Sequence, residues 1–130
     1  MMRSLALLAT LPVLAACRGD ETVAAYGGGQ TWVLQELDGA AFPARATLAF
    51  PAPGRIAGMA PCNSYSAAMT VPYPWFETGP LAVTRQACPD LAAETAFLTA
   101  LQSMAYSEVS GRLLILSNDA GREMVFSSGG

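Results

Sequence analysis

The chain has 130 residues, of which 52% are hydrophobic and 13% charged, with a formal net charge of −3; this fits one globular domain with a single core. Every basic residue is an arginine and neither lysine nor histidine occurs, so Ser-His-Asp and Cys-His pairs, histidine metal ligands, Ser-Lys dyads and Schiff-base chemistry are closed to it. The acidic balance also argues against nucleic acid, whose binding draws on clustered positive charge.

In chain order, Arg3 is followed by an apolar run from Leu5 to Leu14, then by Ala15, Ala16 and Cys17. A run of about ten apolar residues suits a secretory signal and is too short for the roughly twenty a membrane-spanning helix needs. Leu14-Ala15-Ala16-Cys17 resembles a bacterial lipobox, which implies cleavage after Ala16 and lipidation of Cys17. An ordinary secretory signal with a chance cysteine is the competing reading. Cleavage would remove Arg3 and leave six arginines against ten acids. With no polybasic patch, the expected membrane attachment is the lipid on Cys17 alone. Arg18 stands where enteric lipoproteins retained in the inner membrane carry aspartate, so a periplasm-facing place on the outer membrane is favoured by resemblance.

From Arg18 to Gln30 there is no apolar periodicity, and Gly27-Gly28-Gly29 lies near the end. That stretch reads as a flexible tether of roughly 20 Å root-mean-square span. The expected organisation is a signal peptide at 1–16, a lipidated cysteine and tether at 17–30, a domain at 31–127 and a tail at 128–130.

Within the domain, Thr31-Trp32-Val33-Leu34 opens a series of short β-like pieces at 46–50, 55–59, 66–71 and 75–78, punctuated by Asp38-Gly39 and Pro53-Gly54. Val71-Pro72-Tyr73-Pro74-Trp75-Phe76 is the candidate contact surface, because aromatics are enriched at binding hot spots and the prolines suggest a stiff loop or edge strand. Tyr73, Trp75 and Phe76 are the residues named for it. Burial of Trp75 or Phe76 in the core beneath a hairpin is the favoured reading of the same segment. Residues 89–105 carry a helical stripe of Leu91, Phe97, Leu98, Leu101 and Met104, with Pro89, Asp90 and Glu94 suited to the helix start. Asp90 and Glu94 share a face, but with no third catalytic group nearby they read as capping and solvated charge. Finally, 112–117 and 122–127 flank Asn118-Asp119-Ala120-Gly121, a hairpin signal, and Leu113 to Leu116 reads as an interior strand.

Once Cys17 is lipidated, Cys62 and Cys88 form an even pair in an oxidising compartment, and a disulfide between them is expected. A redox or metal pair is the weaker competitor, with no histidine to assist it.

Several pieces together carry a family resemblance: Trp32-Val33-Leu34, Gly58 through Cys62-Asn63-Ser64-Tyr65-Ser66, Thr84-Arg85-Gln86-Ala87-Cys88-Pro89, Glu94 with Phe97-Leu98 and Leu101, and Leu114 to Phe126. In this order they resemble the META domain of HslJ-like heat-shock lipoproteins. Pro61 and Ala67 depart from it where glycines are common, which bears on the local loop shape. The resemblance implies an α+β domain, with a curved antiparallel sheet of about seven or eight short strands packed around one main helix. It also implies an envelope role linked to stress tolerance, with no established reaction. The expectation is therefore a monomeric, non-catalytic binding or scaffolding module without cofactor or metal, in contact with an envelope protein. An inhibitor or pilot of one periplasmic or secretion protein is the alternative. Cys62-Asn63-Ser64-Tyr65-Ser66 invites a catalytic serine or an anion-binding turn, but without a base it reads as the disulfide-pinned start of a strand.

Overall fold

A computed structural model describes residues 19–129; the signal segment and Cys17 lie outside the described residues. A short helix, α1 (Ala24–Gly27), precedes the strands β1 (Thr31–Leu37), β2 (Ala40–Ala41), β3 (Thr47–Ala52), β4 (Arg55–Met59), β5 (Ser64–Ala68) and β6 (Ala82–Val83). The main helix α2 (Leu91–Ser103) follows, and then β7 (Tyr106–Ser110), β8 (Leu113–Ser117) and β9 (Glu123–Ser128). The strands form one antiparallel sheet in the order β6-β5-β4-β3-β1-β9-β8-β7, with β2 paired to β1. The architecture is α+β, as the family resemblance implied.

Period-two alternation explains which face is buried. Trp32 and Leu34 of β1, Leu48 and Phe50 of β3, Ile56 of β4, Tyr65 and Ala67 of β5, Leu114 and Leu116 of β8, and Met124 and Phe126 of β9 all point into one core. Phe97, Ala100 and Leu101 of α2 enter that core, and the Phe97 ring meets Tyr65 edge-on at 5.6 Å and Phe42 at 6.3 Å. Leu91, expected in the apolar stripe, is instead exposed at the first turn.

Gly58 is fixed by close approach. A Cβ there would collide with the Thr47 carbonyl and lie 2.8 Å from the Tyr65 hydroxyl, which itself donates to that carbonyl at 2.6 Å. At the β1–β2 turn, Asp38 and Gly39 take left-handed backbone (φ 52° and 81°), the geometry a tight hairpin requires.

The flexible tether expected at 17–30 needs correction. Thr22, Val23 and Gly27 are buried, α1 lies against β3, and the Trp32 indole N–H donates to the Gly27 carbonyl at 2.8 Å. The signal hidden in this stretch is local: the Asp20 carboxylate accepts from both the Thr22 backbone N–H and its hydroxyl, at 2.9 and 2.6 Å. Val23 supplies the buried apolar anchor. At the other end Ser128, expected in a tail, is buried as the last residue of β9.

The strand expected at 75–78 is only an isolated bridge between Trp75 and Tyr106. The chain there crosses from one sheet end to the other. Gly79 N–H donates to the Ala68 carbonyl on β5, whereas Phe76 N–H donates to Ala105 O and Ser107 N–H to Pro74 O on the β7 side.

Candidate functional site

Two sequence features converge behind α2. Cys62 and Cys88 are joined by a disulfide with Cα atoms 5.7 Å apart. Beside it, Glu94 is buried in place of the solvated position expected for it. Its Oε1 accepts the backbone N–H groups of Cys62 and Asn63 at 3.0 and 2.7 Å, and its Oε2 accepts the Asn63 side-chain amide at 2.7 Å. The Asn63 side-chain Oδ1 in turn accepts from Thr84 Oγ1 and the Gln86 N–H, while its Nδ2 also donates to the Gln86 carbonyl. Asp90 stays exposed and caps nothing with its side chain. Every side-chain polar atom of Glu94 and Asn63 is thus engaged in tying residues 62–63 and 84–86 to the helix. The knot explains why Cys-Asn and Glu occur together in the sequence: they form a structural clasp.

The three residues named as a contact surface separate. Phe76 is 1% exposed and belongs to the core, in line with the burial reading and not with the contact surface; its backbone N–H donates to the Ala105 carbonyl. Tyr73 is half-buried, its ring 4.2 Å from Tyr26, and its hydroxyl accepts the Val109 N–H at 3.2 Å. Trp75 is 53% exposed and packs on Tyr106 at 5.4 Å between ring centroids. Sequence reading missed Tyr26 and Tyr106 because neither is near residue 75 in the chain.

Tyr26 packs on Tyr73 and Trp75 on Tyr106; because Tyr73 and Trp75 are two residues apart in one loop, the two pairs adjoin, and they are called the aromatic face. Pro72 and Pro74, both exposed, flank Tyr73. Beside the face runs a groove of about 520 Å³ lined by Val71, Pro72, Trp75, Phe76, Met104 and Ala105, with Glu77 as the charged residue in its lining. At the rim, the Tyr106 hydroxyl donates to both Asp119 oxygens at 2.9 and 3.0 Å. That hydrogen bond to the carboxylate holds the phenol above its ordinary ionisation range.

A second groove of about 570 Å³ is lined by Gly29, Gln30, Thr31, Val33, Arg45, Gly111, Arg112 and Ser128. Both arginines are exposed, and none of the lining side chains carries a buried polar atom without a hydrogen-bond partner. Among the described residues, no three histidine, cysteine, aspartate or glutamate side chains are grouped to hold a metal. No helix among them is long and apolar enough to cross a membrane.

The META domain profile matches residues 24–129, so the matched region begins at α1, within the stretch first read as tether. An NMR structure of a protein from Burkholderia xenovorans is similar at 25% identity and a TM-score of 0.66, over 92% of this chain and 97% of that one. A crystal structure of a DUF4847-family protein from Bacteroides vulgatus ATCC 8482 shares the fold at 12% identity and a TM-score of 0.66, over 81% of this chain and 96% of the other. No curated protein matches.

Proposed function

This chain belongs to the META domain family, and on that premise we propose that it is a lipid-anchored, non-catalytic contact domain of the bacterial envelope, linked to stress tolerance. The aromatic face of Tyr26, Tyr73, Trp75 and Tyr106 carries the reading. A large, half-exposed indole on a stiff loop is the kind of group that anchors recognition, since it supplies apolar area at little entropic cost. The absence of histidine and lysine, and the commitment of Glu94 to three structural hydrogen bonds, favour binding over catalysis. The Cys62–Cys88 bond favours an oxidising compartment.

The anchor is tested by mass spectrometry of the mature protein from membranes. The expected product begins at Cys17 and carries acyl chains, and C17S moves the protein to the soluble fraction. Recovery of mature protein with an unmodified Cys17 would remove the anchor from this account. A second reading, an inhibitor or pilot of one periplasmic or secretion protein, is favoured by the exposed Pro72, Pro74 and Trp75 of the 72–75 loop and predicts a single dominant protein at that loop.

A further inference from the structure

We propose that the aromatic face is a membrane-docking surface, seated on the bilayer that holds the acyl chains of Cys17, with Trp75 at headgroup level. This deepens the function proposed above and rests on its lipidated Cys17.

Reach carries the first part of the argument. The Glu21 carbonyl accepts the Tyr73 backbone N–H at 2.7 Å, and the next two residues, Thr22 and Val23, are buried. The chain is therefore fixed to the domain from Glu21 onward, directly against the aromatic face. Cys17 lies four positions earlier, so the chain between the lipid and this point covers at most about 14 Å. A free tether running to Gln30 would reach roughly 45 Å at full extension. Folding residues 20–30 onto the domain thus removes most of the leash and places its exit beside Tyr73. A partner protein inserted at this face would have to fit within that short gap.

Chemistry carries the second part. Three of the four tyrosines of the chain and one of its two tryptophans lie in this face. Rings with an apolar body and a polar edge collect at the bilayer interface. The adjoining groove is apolar, no arginine lines it, and its charged lining residue is Glu77. Asp20 and Glu21 stand at the leash exit. Attraction to anionic headgroups is therefore not the driving force; the expected partner is a zwitterionic phospholipid surface, held by aromatic and apolar contact.

The test uses the full mature, acylated protein in phosphatidylcholine vesicles, with and without lipid brominated near the headgroup end of its acyl chains. Trp32 is fully buried, so Trp75 is the indole that bromine can reach. Brominated lipid is expected to lower tryptophan emission by about half, the share of one interfacial ring in two. The drop disappears in W75F, whose circular dichroism should match wild type. Unquenched Trp75 in acylated, vesicle-bound protein would overturn docking and leave the anchor standing. An unmodified Cys17 in the mass spectrum would overturn the anchor and the docking with it. Shielding of Trp75 only when one envelope protein is added would also overturn it, in favour of the protein partner.

Discussion

Substitution of Glu94 separates a buried clasp from the solvated helix-terminal charge that its sequence position suggests. In the structure its side chain is 4% exposed and accepts three hydrogen bonds from Cys62 and Asn63. In E94Q the amide oxygen keeps the two backbone donors, but the new NH2 group faces the Asn63 amide, donor against donor. Losing that one bond and leaving its donor buried costs about 1–3 kcal/mol. E94A removes all three acceptors and leaves a void, for which about 3–5 kcal/mol is expected. In a domain of this size each kcal/mol lowers Tm by about 4–8 °C. Urea unfolding with the disulfide intact, followed by circular dichroism and by tryptophan fluorescence, measures both variants. The order E94A, then E94Q, then wild type is predicted. Values for E94A within about 0.5 kcal/mol of wild type, the usual effect at a solvated site, would refute the clasp.

Three further outcomes follow from the packing. F76A should cost about 3–5 kcal/mol and W75A less than about 1 kcal/mol, measured by the same unfolding assay; the reverse order would return Phe76 to the surface. G58A, which drives a Cβ onto the Thr47 carbonyl, should destabilise more than Y65F, which removes only the Tyr65 hydroxyl bond worth about 1–3 kcal/mol; equal effects would contradict the close approach. Asp38 accepts from Arg122 at 2.9 Å, and chiefly this hydrogen bond holds its carboxyl below the ordinary 3.8. A lowered carboxylate stabilises above its ordinary value and loses that contribution as pH falls through the lowered one. D38N should therefore cost less than about 1 kcal/mol at neutral pH, the pair being exposed, and match wild type in strong acid. A D38N deficit that persists unchanged in acid would contradict the pairing.

Long patterned segments were legible in the sequence. Residues 55–59 form β4 at the expected bounds, the Asn118–Gly121 hairpin joins β8 to β9, and α2 falls inside 89–105. Leu114 and Leu116 are fully buried in β8, which has neighbours on both sides, although Leu113 is 41% exposed. The rest was hidden for identifiable reasons. Strands β2 and β6 have two residues each, too few for alternation to register. β7 places a serine, Ser107, on its inward face, where its hydroxyl meets the Pro74 carbonyl, so its pattern reads polar. Pro51 sits within β3 where the register to β4 shifts, which prolongs a strand expected to stop at Phe50. Half of the aromatic face was legible in Tyr73 and Trp75; Tyr26 and Tyr106 join it only through tertiary packing.

The central claim, that this face contacts the envelope membrane beside its own anchor, is tested most directly by a photo-reactive residue at position 75 in intact cells. The same probe at exposed Met59 serves as the comparison. Phospholipid adducts from position 75, exceeding those from position 59 and abolished by C17S, are predicted. A single protein adduct at position 75 in place of lipid, or equal lipid labelling at both positions, would contradict the account.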